Sequence, residues 1–327
     1  MDNNFDSIIV PALDRRVYPT TGTAFIGANT REMKIEELRD THIIPVFPAT
    51  NEPLISHFQL IETVHDAVFR NFPMERILDP VIRVSHPIKG RIPDAKHKKA
   101  VELEPWEETL YYERMAFMIE IPSITATVGG NTLSLSIGAV KAYNLDNVYT
   151  KRSNQAQQFK LFIGFQNKVC TNLCVSTDGF RMELNIHNIY QLRQAVESLI
   201  MSYQLENQLQ QLNKWEDIHL TESQFAQVVG RCRMFKHLPE GEKLGIPPML
   251  LGDQQLGMVV RSYYADDNFA PRGDGSLSLW KLYNLLTGAN KSTYIDQFLD
   301  RGVNATDFVG ELNKGFTTSK VSWYLGK

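Results

Sequence analysis

Hydrophobic residues alternate with polar ones in the middle of the chain, and this alternation predicts β-strands. The apolar face of the first such strand is formed by Met115, Phe117, Ile119 and Ile121. A period of two with polar or mixed residues between predicts a half-buried strand. Gly129-Gly130-Asn131 predicts a hairpin turn, because glycine adopts positive φ angles without strain. The same alternation predicts further strands at 124–128, 133–143, 159–165 and 169–175. We therefore expect an antiparallel meander of about four or five strands.

The hydrophobic period lengthens to that of a helix after Asn188. Apolar residues then recur every three or four positions as far as Leu212, which predicts one long helix of about 25 residues with a glutamine-rich outer face. The capping-box sequence Thr221-Glu222-Ser223-Gln224 predicts the start of another helix, and helical spacing recurs towards the C-terminus. The predicted fold class is α+β: an antiparallel β-meander followed by a long helix, with a mainly helical C-terminal part.

Breaks in these patterns divide the chain into three predicted regions. The first lacks either period, the second contains the meander and the long helix, and the third is helical. They are an extended N-terminal arm (1–35), an α+β core (36–215) and a helical C-terminal region (216–327). Within the core, the sequence that precedes the meander predicts a helical turn at Glu36–Asp40, an edge strand at Ile43–Phe47 and an amphipathic helix that ends before Pro73.

Composition and charge narrow the function classes. The chain has 327 residues, 43% of them hydrophobic, and a formal net charge of −3. This net charge excludes a protein that is basic overall, so nucleic-acid binding would need a local patch of positive charge. The N-terminus has no apolar signal segment, and no window is long and apolar enough to span a membrane. The three cysteines, an odd number in a long chain, favour a reducing compartment, so we expect a cytoplasmic protein without a membrane partner.

Residues 86–99 form the most basic segment and are the sharpest candidate for binding. Lysine and arginine neutralise phosphates, and an aromatic ring close to them stacks on bases. The predicted nucleic-acid-binding residues are Lys89, Arg91, Lys96, Lys98, Lys99 and Trp106, with Tyr111 and Tyr112 as further stacking candidates. The alternative is a solvated loop that contributes only to solubility.

The stretch 158–180 contains Cys170 and Cys174 and gives a second candidate. On a strand, residues four apart are about 13 Å apart, too far for both thiolates to bind one zinc ion. Buried core cysteines are therefore favoured over a metal site. Asn167, Lys168 and Asn172 are a candidate polar site, in which Asn172 shares a strand face with both cysteines. That face is either covered by the core or open to a cleft.

No residue pattern typical of an enzyme was found. The sequence lacks a phosphate-binding loop, a dinucleotide fingerprint, Gly-x-Ser-x-Gly and His-Glu-x-x-His. We therefore predict no catalytic residue, no metal and no cofactor. An enzyme that uses the Asn172–Asp178 region is kept as a less favoured alternative.

Two segments carry a resemblance to known proteins. Residues 136–144 (SIGAVKAYN) and 159–174 (FKLFIGFQNKVCTNLC) resemble an uncharacterised family, a domain of unknown function found on mobile elements and in genomes of gut anaerobes. Val169-Cys170-Thr171-Asn172, preceded by Lys168, is more distantly similar to a hallmark of the phage/plasmid-like protein family. That family also has a C-terminal helix to which four residues here are similar: Trp280, Tyr283, Asn284 and Thr287. The resemblance implies a genetic context and no chemistry.

The predicted function combines this context with the basic segment. A meander followed by a long helix is also the order of elements in single-strand annealing proteins, although a fold does not fix a function. We expect a mobile-element protein that binds single-stranded nucleic acid in recombination or replication. The alternative is a structural or interaction protein that acts by self-assembly as a homo-oligomer or through a host partner.

Overall fold

The computed structural model describes six ranges of the chain: 24–41, 54–95, 97–146, 157–181, 186–318 and 322–326. The predicted edge strand at Ile43–Phe47, most of the predicted N-terminal arm and Lys96 lie outside these ranges. Nine helices and eleven strands are present in the described residues, and the predicted α+β class is confirmed.

An antiparallel sheet of seven strands is the centre of the fold. Its strands run in the order β1-β2-β5-β6-β7-β8, and β9 also pairs with β7. Strands β3 and β4 pair separately, as do β10 and β11. The bounds are β1 (Arg31–Met33), β2 (Val81–Val84), β3 (Pro87–Arg91), β4 (Glu108–Tyr112), β5 (Arg114–Val128), β6 (Asn131–Ala142), β7 (Lys160–Asn167), β8 (Leu173–Cys174), β9 (Phe180–Arg181), β10 (His219–Leu220) and β11 (Leu277–Ser278).

Strands β5 and β6 form the predicted hairpin. Gly129 and Gly130 have φ angles of 54° and 78°, so the turn does require glycine there. The tip is fastened to the C-terminal half of the chain, since Trp280 Nε1 donates to Asn131 Oδ1 at 3.1 Å. The strand predicted at 169–175 is much shorter: residues 168–172 form a turn, and only Leu173–Cys174 pair with β7.

Helices precede, follow and cover the sheet. Their bounds are α1 (Ile35–Thr41), α2 (His57–Asn71), α3 (Ile189–Ser202), α4 (Leu205–Glu216), α5 (Glu222–Phe235), α6 (Glu240–Lys243), α7 (Asp253–Ala265), α8 (Leu279–Asn290) and α9 (Ile295–Thr317). The predicted capping box is present, because Thr221 Oγ1 accepts from Gln224 N and Gln224 Oε1 accepts from Thr221 N.

The predicted single long helix is divided into α3 and α4. Tyr203 has an extended backbone (φ −70°, ψ 130°) and ends α3. The break places Gln208 over the end of the sheet, where its Nε2 donates to the Cys174 carbonyl oxygen at 2.9 Å. The apolar spacing continues through the break because α3 and α4 both bury a hydrophobic face. Periodicity alone therefore could not locate it.

Both faces of the sheet are buried. Phe117 and Ile119 on β5 point into a large hydrophobic cluster that also contains apolar residues of α2 and α3. Ala116 and Met118 point to the other side, into a cluster that contains residues of α9 such as Phe298. The prediction of a half-buried strand is therefore corrected: α9, far away in sequence, covers the second face.

The described part of the predicted N-terminal arm packs on this second face. Phe25 and Ile26 are 2% and 0% exposed, and β1 pairs with β2 at the edge of the sheet. The backbone amides of Gly27 and Ala28 donate to the Lys291 carbonyl oxygen at 2.9 and 3.1 Å. The extended arm stays a prediction for residues 1–23.

The domain boundary near residue 215 also stays a prediction. Residues on both sides of it contribute to the same large hydrophobic cluster. Among the described helices, none is long and apolar enough to cross a membrane.

A buried ion pair lies at the end of β6. Lys141 is 0% exposed; its ammonium pairs with Asp146 and donates to the Gln158 carbonyl oxygen at 3.2 Å. The same nitrogen lies 4.1 Å from the ring centroid of Phe159. Burial lowers the pKa of Lys141 to about 8, against the opposing effect of the Asp146 charge, and burial raises the pKa of Asp146. Desolvation thus outweighs the attraction in both groups.

Removal of one partner from this pair should destabilise the protein strongly. Lys141→Met leaves the Asp146 carboxylate buried without its cation, and we expect a loss of about 3–5 kcal/mol in the free energy of unfolding. In the double variant Lys141→Met/Asp146→Asn most of that loss should be recovered, because no buried charge remains and the amide oxygen still accepts from Gln158 N. Urea unfolding of the unaltered protein and the two variants measures both effects.

The partly exposed pair between Lys98 and Glu107 supplies a matched control. Lys98→Met makes the same chemical change where solvent screens the charges, so its effect should be far smaller. Equal losses for Lys141→Met and Lys98→Met would contradict the assigned role of burial.

Candidate functional site

The predicted nucleic-acid-binding residues lie on a β-ribbon, which we call the ribbon arm (87–112). Its strands β3 and β4 pair from Pro87↔Tyr112 to Arg91↔Glu108. The arm continues the β2–β5 pair beyond the sheet, since Ser85 N donates to the Arg114 carbonyl oxygen at 2.9 Å. Residues 92–107 form its tip, with short 3-10 turns at Pro93–Ala95 and Ala100–Glu102. The sequence pattern had indicated only a loop here.

The root of the ribbon arm is held by side chains of the body. His57 Nε2 lies 2.7 Å from the Tyr112 carbonyl oxygen, and the His57 ring stacks on Tyr143 with a centroid distance of 4.6 Å. The Arg31 guanidinium lies 5.0 Å from the ring centroid of Tyr112. The arm is therefore anchored where it leaves the sheet.

Two of the predicted stacking residues belong to this root. Tyr112 is 1% exposed, and Tyr111 packs against Tyr143 at a centroid distance of 6.2 Å. Burial of Tyr112 and the packing of the half-buried Tyr111 against Tyr143 do not favour base stacking by these two residues, which stays a prediction. Trp106, at the tip, is 73% exposed and remains available.

Two cations of the ribbon arm, Arg91 and Lys98, bind groups of the arm itself. The Arg91 guanidinium donates to the Lys98 carbonyl oxygen, and the Lys98 ammonium pairs with Glu107. Lys89 and Lys99 are exposed, and neither forms an ion pair with another described residue. The predicted patch of five cations therefore contains two described cations whose charge is not engaged by the arm itself.

Folding also brings acids onto the basic segment. Residues 86–108 contain five Lys or Arg residues and five acids, Asp94, Glu102, Glu104, Glu107 and Glu108. Pairing of β3 with β4 places Glu108 directly opposite Arg91. The arm as a whole is therefore close to neutral, although 86–99 alone is basic.

The tip carries exposed apolar side chains between these charges. Trp106 is 73% exposed and Val101 is 91% exposed. An exposed tryptophan is uncommon on a monomer surface and typical of the centre of protein interfaces. The tip is thus an anchored, neutral projection with an available indole.

The candidate polar site forms at the turn after β7, where it meets α8. Asn167 Nδ2 donates to Asn284 Oδ1 at 3.1 Å, and Asn172 Nδ2 donates to the Asn284 carbonyl oxygen at 2.9 Å. Asn284 Nδ2 in turn donates to the Trp280 carbonyl oxygen at 3.0 Å. All three asparagines are buried, at 0%, 2% and 1% exposure in the order 167, 172 and 284. The three side chains form what we call the amide cluster.

Lys168 does not join the amide cluster. Its ammonium pairs with Glu120 on β5, and it is partly exposed. Residues 168–172 form a turn, so the expected common strand face for Asn172 and the two cysteines is also incorrect. The structure therefore unites two of the three predicted polar-site residues and excludes the third.

A strained residue and a half-buried cation complete the turn. Thr171 has a φ angle of 58°, a left-handed conformation that is unusual for a β-branched residue. Its Oγ1 accepts from Lys291 Nζ at 2.8 Å, and the same ammonium donates to the Cys170 carbonyl oxygen. Burial lowers the pKa of Lys291. Lys291 thus holds the turn in its strained conformation from the C-terminal end of α8.

Burial disfavours the thiolate form of the two cysteines of this region. Burial raises the pKa of Cys170 to about 11 and raises that of Cys174 further. Cys170 Sγ lies 3.8 Å from Asn284 Oδ1, and Cys174 is fully buried. The thiolate is the nucleophile and metal ligand. Neither thiol is therefore set up for covalent chemistry.

The amide cluster consequently works as an internal fastening. It joins the β7–β8 turn to α8 by buried hydrogen bonds in which all three amide nitrogens and two of the three amide oxygens have a partner. Asn172 Oδ1 is the exception, a buried acceptor with no hydrogen-bond partner among the described residues. Within the described ranges, no group of three or more His, Cys, Asp or Glu side chains is placed to hold a metal ion.

Two residues of this site were not selected by pattern reasoning. Asn284 was noted only through the distant resemblance, although a polar residue among the apolar positions of α8 is itself a signal. Lys291 follows the last residue of α8, and its sequence context gives no indication that it contacts a turn about 120 residues earlier.

Truncation of Asn284 should weaken the fold substantially. Asn284→Ala removes the partner of Asn167 and leaves a buried amide without its acceptor, so we expect a loss of about 2–4 kcal/mol in the free energy of unfolding. Chemical denaturation measures it. Asn268→Ala, the same change on an exposed loop, is the control and should have little effect. A loss for Asn284→Ala no larger than that of the control would contradict the assigned role.

Comparison with known proteins gives a family and no activity. No curated protein and no solved structure matches the chain. Residues 7–325 match a family of unknown function whose description reads "Domain of unknown function, B. Theta Gene description (DUF3871)". The match covers almost the whole chain, including the ribbon arm and the amide cluster. The expectation of an uncharacterised family is confirmed, and this chain belongs to the DUF3871 family.

Proposed function

We propose that this protein is a cytoplasmic interaction protein that binds another protein through the tip of the ribbon arm. The observation that carries the proposal is Trp106, 73% exposed at the end of an anchored projection. Indole rings supply the largest share of binding energy in many protein interfaces, because they bury a large area at a small cost in conformational entropy.

The surroundings of Trp106 favour a protein partner. Val101 adds a second exposed apolar side chain, and the charges of the arm are balanced. A surface that binds phosphates needs an excess of positive charge, whereas the rim of a protein interface is polar and of mixed sign. The anchored root also limits the entropy lost when the tip is immobilised.

No residue in the site argues for catalysis. Burial raises the pKa of the Cys170 and Cys174 thiols, and the amide nitrogens of Asn167 and Asn172 donate to Asn284. In the proposal the asparagines stabilise the body and take no part in binding.

A photo-crosslinking amino acid at position 106 tests the proposal in cells of the native host. We expect a discrete adduct, identified by mass spectrometry, because the tip would lie against its partner. The same probe at position 74 is the matched control, since Met74 is 93% exposed but lies outside the arm. If position 106 gives no adduct beyond those of position 74, the proposal fails.

Single-stranded nucleic acid, bound during recombination or replication of a mobile element, is the second candidate. It is favoured by the exposed Lys89 and Lys99 near an exposed indole, a combination that can contact phosphates and stack on a base. Two cations predict weak binding with a shallow salt dependence, a slope of about −0.7 per contacted phosphate.

Fluorescence anisotropy with a labelled oligonucleotide tests this second candidate. Binding at low salt should disappear in Lys89→Glu/Lys99→Glu and persist in Lys236→Glu/Lys243→Glu, which makes the same charge change outside the arm. No binding at about 100 µM protein, the weak end of the usual non-specific range, would exclude it. Recombination or conjugation genes beside this one would support the mobile-element context, and their absence from several genomes would count against it.

A further inference from the structure

A cavity on the surface of α7 has the chemistry that an indole requires. It is open to solvent, has a volume of about 410 Å³, and is lined by Met258, Arg261, Ser262, Ala265 and Asp266. Its size lies within the range of sites that hold small ligands or single large side chains.

Asp266 gives the cavity a fixed hydrogen-bond acceptor. Its Oδ1 accepts from the backbone amides of Asn268 and Phe269, both at 2.9 Å, which sets the orientation of the carboxylate. Its second oxygen has no hydrogen bond to any described residue. Arg261, which also lines the cavity, is exposed and forms no ion pair within the described ranges. The cavity thus presents an oriented acceptor and an uncommitted cation.

Indole matches each of these groups. Its N–H is a donor without acceptor capacity and suits the open carboxylate oxygen of Asp266. Its π face attracts a guanidinium such as that of Arg261, and its edge makes favourable contacts with a methionine sulfur such as that of Met258. Charge at the rim is also complementary, since Asp267 is exposed beside the cavity and Lys99 is exposed near Trp106.

Within one copy of the chain, Trp106 of the ribbon arm does not fill the α7 cavity. Trp106 is 73% exposed, and it is not among the residues that line the cavity. The two surfaces are also different in shape, one a projection that ends in an exposed indole and the other a depression lined by five residues. A contact between them in two copies is heterologous, and repetition of such a contact gives a ring or a filament.

We propose that Trp106 of one copy inserts into the α7 cavity of a second copy, so that the protein assembles head to tail through its ribbon arm. This inference rests on the proposed function and names the partner of the tip as the chain itself. The indole N–H donates to Asp266, the ring lies against Arg261 and Met258, and Lys99 faces Asp267 of the neighbouring copy.

A mixing experiment on the purified full chain tests this assembly. Trp106→Ala removes the inserted ring, and Ala265→Arg fills the cavity at an exposed helical position. In sedimentation velocity, the unaltered protein should form species larger than a dimer as its concentration rises. Each variant alone should be monomeric. An equimolar mixture should give dimers and nothing larger, because one intact arm and one intact cavity remain. Met74→Ala, at another exposed apolar residue, should behave as the unaltered protein does.

Three results would overturn the inference. They are a monomeric unaltered protein at about 100 µM, variants that assemble as it does, and variants that stay monomeric when mixed. The experiments distinguish a failure of this inference from a failure of the proposed function. If the probe at position 106 captures a different protein while the purified chain is monomeric, the tip binds that protein, the proposed function stands and the head-to-tail assembly is excluded.

Discussion

The burial of the central sheet on both faces is the constraint on which the rest of the structure depends. Strands β5 to β7 alternate between two hydrophobic clusters, and neither face could be left in water without exposing large apolar side chains. The second face is closed by α9 and by the segment around Phe25 and Ile26. The N-terminal segment, the meander and the last long helix therefore depend on one another for burial, although they are far apart in sequence.

Local patterns predicted the elements that depend on local interactions. The hairpin at Gly129–Gly130 needs positive φ angles, and the helix after Thr221 begins with its own capping bonds, so both can be recognised from neighbouring residues. The division between α3 and α4 could not be predicted in this way. It accompanies a contact between residues 34 positions apart, in which Gln208 reaches the Cys174 carbonyl oxygen.

In the candidate sites, too, local sequence patterns did not predict which charged and polar side chains pair with each other. The amino-acid sequence of residues 86–99 is basic. In the structure, however, the pairing of β3 with β4 places Glu108 opposite Arg91, and Lys98 forms an ion pair with Glu107. Asn167 and Asn172 were predicted, with Lys168, to form a candidate polar site, yet the common partner of the two asparagines, Asn284, lies more than 100 residues later. A sequence shows which side chains need partners, and only the fold shows which of them have found one.

That distinction also determines where function can lie. Lys141, Lys291 and the three asparagines could each have served a ligand, but buried neighbours already take up their charge or their hydrogen bonds. A group committed in this way contributes to rigidity, and using it for a ligand would require breaking bonds that hold the body together. Trp106 makes no such contribution to the core, since it is exposed on an arm whose root is fixed by His57 and Arg31. An exposed indole on a fixed support has little to offer stability, so its contribution must be sought in what binds to it.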